Sequence, residues 1–254
     1  MSTIAERHQL ILGKLQQEGF VNVQALGREL EVSTVTIRKD LKLLEDKGLL
    51  FRSHGGAALH NPYTTDRPVG EKEKIRSPEK LRIGNKAASC IQPDDSIIIA
   101  SGTTVQAMAR CIQPQGNLTV ITASLHVALE LNIHPSVEIL QMGGTLRKSS
   151  SSVTGPYAES ILKDFFCSKL FLGVDGIDLD YGLTTTNIQE AHLNRLMIKA
   201  AQKIIVLADS SKFGRRGFGK ICEWQEIDQI ITDTGIPSHV AKTLEEAGVE
   251  VSIV

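Results

Sequence analysis

Ile4, Leu10, Ile11 and Leu15 recur at helical intervals, which predicts a helix over residues 5–18 that stops at Gly19. Asn22 is placed to cap a second helix over 23–30 that buries Leu26 and Leu30. Ser33 is a third cap, and Ile37, Leu41 and Leu44 fall at i, i+4 and i+7 behind it, with Gly48 as the stop. Val35, Arg38, Lys39 and Lys42 take the opposite face. Residues 49–52 and 57–59 read as two short strands around the turn Ser53-His54-Gly55-Gly56. Three helices followed by a hairpin form a winged helix-turn-helix, with the third helix offering cations and small polar groups outward.

Beyond residue 79 the pattern alternates. Helices are predicted over 80–90, 104–112, 125–131 and 238–247. Apolar strands are predicted over 96–100, 118–122, 137–141, 170–173, 204–208, 230–232 and 249–254. Such alternation implies a mostly parallel sheet covered on both faces, with ligands gathering at the carboxyl ends of its strands. The fold class is therefore α/β: a winged helix-turn-helix over residues 1–59 and a mostly parallel α/β domain over 79–254. Residues 60–78 carry three prolines, a glycine and many charges, and read as a linker. The stretch E-K-E-K-I-R within them is equally a possible start of the next helix.

Composition narrows this little. Hydrophobic residues make up 41% of the 254 positions and aromatics 4%, so the core is aliphatic. The net charge is −1, and residues 1–58 hold eight Lys/Arg against seven Asp/Glu, so DNA affinity has to come from cations clustered on one face. A neutral three-helix packing module is the bland alternative. The N-terminus lacks the charged-then-apolar form of a signal peptide, and apolar runs of about five residues are far short of a membrane span. A cytoplasmic chain is the expectation. Cys90, Cys111, Cys167 and Cys222 are scattered, which points to buried thiols, and neither they nor the seven histidines show metal-ligand spacing. No metal and no cofactor are expected.

The chemistry sits in loops that follow strands. Ser101-Gly102-Thr103-Thr104, Thr122-Ala123-Ser124 and Gly143-Gly144-Thr145-Leu146-Arg147 follow the first three; the loops at 173–178 and 208–213 follow two more. In a parallel sheet they converge. Backbone N–H groups at a helix start, hydroxyls and the Lys212 ammonium suit a phosphate dianion, and Asp175 and Glu190 suit the hydroxyls of a polyol or sugar.

Two sets of motifs carry a resemblance. V-S-T-V-T-I-R-K-D-L-K-L-L-E-D-K-G with R-S-H-G-G-A resembles the DNA-binding signature of the DeoR family of bacterial transcriptional regulators. S-G-T-T, M-G-G-T-L-R, G-V-D-G-I and A-D-S-S-K-F-G resemble the effector domain of the same family's repressors, a domain similar in fold to ribose-5-phosphate isomerases. V-D-G-I-D-L and D-S-S-K-F-G-R-R look most like the glucitol-operon repressor branch.

The resemblance implies a repressor of a sugar or sugar-alcohol catabolic operon that works as a dimer or tetramer and is relieved by a phosphorylated sugar or polyol. An activator is the untested opposite sign. DNA contacts are expected at Ser33, Thr34, Thr36, Arg38, Lys39, Lys42, Arg52 and His54, with Asp40 capping or pairing inside the domain. Effector contacts are expected at Ser101, Gly102, Thr103, Thr104, Ser124, Gly143, Gly144, Arg147, Asp175, Glu190 and Lys212. Asp175, Asp178 and Glu190 resemble acidic groups of the isomerases, but residues 179–189 lack the lysine that stands between them there. A proton shuttle needs that charge stabilised, so a sensor, not an enzyme, is expected, with an isomerase as the alternative. Two positions depart from the family pattern: Ala100 stands where D-S-G-T-T has aspartate, and Ala123 replaces the central residue of T-N-S.

Overall fold

The computed structural model describes residues 3–18, 20–53, 55–58 and 68–254. The chain divides into two compact units, Met1–Thr65 and Asp66–Val254.

In the first unit, α1 (Ile4–Glu18) precedes a short strand β1 (Phe20–Asn22), α2 (Val23–Glu29), α3 (Thr34–Asp46), β2 (Phe51–Ser53) and β3 (Gly56–Ala58). Asn22 caps α2 by accepting from the amides of Gln24 and Ala25, and Ser33 caps α3 by accepting from that of Thr36. Ile11, Leu15, Leu26, Ile37, Leu41 and Leu44 are buried together, as the helical stripes demand. The wing has three strands where the sequence pattern gives two, in the antiparallel order β1-β3-β2. Phe20–Asn22 is too short and too mixed to announce itself as a strand. It explains Gly56, where a Cβ would sit 2.1 Å from the Val21 carbonyl oxygen. His54 and Leu59 lie outside the described residues.

The second unit opens with α4 (Val69–Lys74) and α5 (Ser77–Ala88). Helix α4 occupies sequence read above as linker, α5 begins three residues ahead of the helix predicted over 80–90, and Arg76 in the left-handed region (φ 53°) separates the two. Next come β4 (Ser96–Ile99), α6 (Thr103–Cys111), β5 (Leu118–Thr122), α7 (Leu125–Leu131) and β6 (Val137–Gln141). A hairpin β7 (Thr145–Arg147) and β8 (Ser152–Thr154) leads to α8 (Pro156–Ile161) and β9 (Cys167–Gly173). Then follow β10 (Gly176–Asp178), β11 (Gly182–Thr185), α9 (Ile188–Lys199), β12 (Ala201–Leu207), β13 (Gly219–Cys222), β14 (Gln229–Thr232), α10 (Ser238–Glu246) and β15 (Glu250–Ile253).

Seven strands form one wholly parallel sheet, ordered β15-β14-β12-β9-β4-β5-β6. Alternate residues serve opposite faces. Ile97, Ile99, Val120 and Phe171 pack with Ile83, Met108 and Val127 of α5, α6 and α7. Ile98, Ile121, Leu170 and Leu172 pack with Leu193 and Met197 of α9 and Leu244 of α10. The chain runs outward from β4 to β6, returns to β9 on the other side of β4, and runs outward again. The gap between β4 and β9 is thus the topological switch point, where the following loops diverge and leave a crevice. Gly173 at the end of β9 lets that crevice form: a Cβ there would lie 2.9 Å from the Ser101 carbonyl oxygen. A small antiparallel sheet, β10-β11-β13, is an addition that the sequence pattern does not announce.

Cys167 and Cys222 are buried, as expected, whereas Cys90 and Cys111 are only half-buried because each sits near the end of a helix. No helix among the described residues is long and apolar enough to cross a membrane.

Candidate functional site

In the first unit α3 turns its buried stripe inward and leaves Arg38, Lys39 and Lys42 exposed. Ser33 and Thr36 share a hydroxyl–hydroxyl hydrogen bond of 2.9 Å at the start of the helix, and Thr34 is half-buried beside them. Arg52 is half-buried: its amide donates to Glu45 Oε1 at 2.9 Å and its guanidinium lies 3.6 Å from Glu45 Oε2. It is therefore partly neutralised, unlike the three cations of α3. Asp40, between Lys39 and Leu41, faces inward and pairs with Arg7. This concentrates positive potential on the outer face of α3 although eight Lys/Arg stand against seven Asp/Glu in the unit.

In the second unit the loops after β4, β9 and β12 meet at the switch point. Ser101, Gly102, Thr103 and Thr104 form one wall, at the N-terminus of α6. Asp175, Thr185 and Glu190 form another, and Lys212 reaches in from the loop after β12. Glu190 sits in the first turn of α9, whose cap Asn187 accepts from the amides of Gln189 and Glu190. Its carboxylate accepts from the Ser101 hydroxyl at 2.5 Å, from Thr185 at 3.3 Å and from the Arg147 guanidinium.

Asp175 accepts from the Lys72 ammonium at 3.0 Å, the Thr185 hydroxyl at 3.0 Å and the Thr186 amide at 3.3 Å. Burial alone would raise its pKa, but Lys72 and Lys212 outweigh burial and hold it at about 2. Lys212 shows the converse: burial lowers its pKa, against the pull of Asp175 and Asp209. The Lys212 ammonium has no hydrogen-bond or ion-pair partner among the described residues. Beside it Lys80, almost fully buried, donates to the Lys72 carbonyl, and burial lowers its pKa to about 8. Lys72 and Lys212 thus line a narrow crevice rich in hydroxyls, with Lys80 close to both.

Residues 7–62 match the DeoR-like helix-turn-helix domain, and residues 75–234 match the DeoR C-terminal sensor domain. The chain belongs to the DeoR family of transcriptional regulators. A DeoR-family relative in Escherichia coli O157:H7, the putative aga operon transcriptional repressor, is 41% identical over 98% of this chain and 94% of its own length. The glycerol-3-phosphate regulon repressor of Escherichia coli K12 is 29% identical over 98% of each chain. Among solved structures, ribose 5-phosphate isomerase A of Methanocaldococcus jannaschii aligns with 53% of each chain at 15% identity and a TM-score of 0.39.

Within this DeoR-family chain the structure gathers seven of the eleven expected effector residues around one crevice: Ser101, Gly102, Thr103, Thr104, Asp175, Glu190 and Lys212. Arg147 stands behind Glu190. The other three lie off the crevice. Ser124 is buried and spends its hydroxyl capping α7, where it accepts from the Val127 amide. Gly143 and Gly144 form the turn into β7 and do not line the crevice. Asp178, likened above to an acidic group of the isomerases, is turned away into an ion pair with Arg216 at 2.9 Å.

Sequence reasoning missed Lys72, Val69, Ser149, Ser150 and Thr185, which also line the crevice. The run T-T-T-N before α9 was a usable signal for Thr185. Lys72 had none, because it lies among alternating charges read as linker. Among the described residues no cluster of His, Cys, Asp and Glu is arranged to hold a metal ion.

Proposed function

We propose that this chain represses a sugar or sugar-alcohol catabolic operon in the cytoplasm and releases it when a phosphorylated sugar or alditol fills the switch-point crevice. The observation that carries the reading is Lys212: an ammonium without a partner among the described residues, lining the same crevice as the amides and hydroxyls of 101–104. Desolvating a cation and leaving it unpaired is costly, so such a site is built for an anion. Phosphate at the start of α6 would meet backbone N–H groups and the favourable end of the helix dipole. Asp175 and Glu190 would accept from hydroxyls on the rest of the ligand. The K12 relative named for a glycerol-3-phosphate regulon is consistent with a phosphorylated polyol.

Sensing, not turnover, is the role that the side chains support. Glu190 is already engaged by Ser101 and Arg147, and Asp178 faces Arg216, so neither carboxylate is placed to shuttle a proton in the ligand space. On DNA, Arg38, Lys39 and Lys42 would hold phosphates while Ser33, Thr34 and Thr36 approach the groove. Arg52 and His54 of the wing would add backbone contacts, and two copies would multiply a weak single-module affinity. Release requires that the ligand bind two arrangements unequally, and a 100-fold preference supplies about 2.7 kcal/mol. Thermal-shift and calorimetric screens of phosphorylated sugars and alditols against their unphosphorylated forms test this. Stabilisation by phosphorylated compounds alone is expected; no response to any of them, or turnover of one, contradicts it.

A further inference from the structure

The crevice is too small for the ligand class it suits. Its free volume is about 50 Å³. That is room for about four waters, whereas sites for organic ligands typically measure about 300 Å³ or more. Part of its wall is α4. Val69 and Lys72 of this helix line the crevice, and the Lys72 ammonium is spent on Asp175.

The helix is poorly anchored for a roof. It has six residues and none of them is buried. Pro68 precedes it, and Ile75 in extended conformation followed by left-handed Arg76 detaches it from α5. Besides the Lys72–Asp175 pair, it is held by the Val69 amide on the Ser149 carbonyl, the Lys80 ammonium on the Lys72 carbonyl, and Glu73 against Arg110 at 2.7 Å. Elements held by a few polar contacts and no fully buried side chain open at low cost. The anchored residue is Arg76 at its end, where the guanidinium donates to the Ser210 hydroxyl at 3.1 Å. That holds the Arg76 end on the loop after β12, while the Pro68 end is tied by the Val69 amide on Ser149, the contact that an outward swing would break. The second unit begins at Asp66, two residues before Pro68, so the segment from the DNA-binding unit runs directly into this end.

The geometry points to α4 as a lid, latched by Lys72 on Asp175, that a phosphorylated polyol must displace, which passes occupancy of the crevice directly to the chain leading to the DNA-binding unit. The inference rests on the crevice being the anion site proposed above. Opening frees the Asp175 carboxylate to accept from a ligand hydroxyl, while Lys212 remains inside for the phosphate. Inorganic phosphate, being small, can enter without opening the lid.

Hydrogen–deuterium exchange on the full chain tests this. In ligand-free protein Lys72→Met removes the latch, and amides 69–74 should exchange about tenfold faster than in wild type. Saturating glycerol 3-phosphate should speed exchange at 69–74 and slow it at 101–106 in wild type; inorganic phosphate should slow 101–106 only. Calorimetry should find glycerol 3-phosphate bound about tenfold more tightly by Lys72→Met, because the ion pair no longer competes. Slower exchange of α4 on binding, or weaker binding by the variant, overturns the lid and makes Lys72 a plain ligand contact. A chain that binds neither glycerol 3-phosphate nor any other phosphorylated sugar or alditol sinks the phosphate reading instead. The ligand-free comparison then decides on the latch alone, and unchanged exchange there overturns it.

Discussion

The guanidinium of Arg7 in α1 donates to both carboxylate oxygens of Asp40 in α3, at 2.8 and 3.0 Å, with His8 Nε2 3.3 Å away. Asp40 lies between two residues with opposite tasks, Lys39 facing out and Leu41 facing the core. The pair fixes the rotation of α3 and therefore the direction in which its cations point. Removing one partner leaves a buried charge alone, which costs more than removing both. Asp40→Leu and Arg7→Met should each lower the melting temperature of the first unit by several degrees, and the double variant should recover much of the loss. Equal losses in the double variant, measured by circular dichroism, would mean that the pair does not act as a unit.

The exposed cations of α3 make a different forecast. Arg38→Ala and Lys42→Ala should leave stability within about 0.5 kcal/mol of wild type, since neither side chain is buried. Each should weaken DNA binding across sequences and reduce the slope of log K against log salt by about 1. Anisotropy titrations at several salt concentrations measure this; an unchanged slope would place the DNA-contacting face elsewhere.

Acid stability should report on Asp175. Its folded pKa is about 2, below the ordinary carboxylate value, so the folded state holds the charged form more strongly than the unfolded chain does. The contribution is fully present above about pH 4 and fades as the pH falls through 2, for a total of roughly 2 kcal/mol. Urea unfolding of wild type and Asp175→Asn at pH 6 and pH 3 should show the gap between them narrowing at the lower pH. A gap independent of pH would deny that Lys72 and Lys212 stabilise the carboxylate.

Inside the crevice, Lys212→Met should lower affinity for phosphorylated ligands roughly 10- to 100-fold, the value of a charge-assisted hydrogen bond. Thr104→Val removes one hydroxyl at nearly constant volume and should cost about 1 kcal/mol, or about fivefold. Both variants should bind DNA normally. Calorimetry and gel shifts on the same preparations check this, and parallel losses in both assays would contradict the separation of roles.

The strands of the large sheet were legible because strands covered on both faces read as continuous apolar runs, such as Ser96-Ile97-Ile98-Ile99-Ala100. Their order was not legible, since the return from β6 to β9 leaves no mark on any one residue. The small sheet stayed hidden because Gly-Ile-Asp and Gly-Leu-Thr-Thr are short and half polar. Helix α9 was missed even though Asn187 followed by Glu190 is a capping pattern; its buried residues Ala191, Leu193, Asn194 and Met197 mix polar with apolar and blur the stripe. The crevice loops were found because they follow strands. Lys72 was missed because a helix with no buried residue has no apolar period to detect.

The account turns on one coupling, between the crevice and the outer face of α3. The most direct test is fluorescence anisotropy of a duplex that the full-length protein itself selects from a random pool, titrated with phosphorylated sugars and alditols. The account predicts that at least one of them lowers DNA affinity tenfold or more in wild type, while Lys212→Met stays bound at the same concentration. Undiminished DNA binding in the presence of every phosphorylated compound, or equal release of wild type and Lys212→Met, would contradict it.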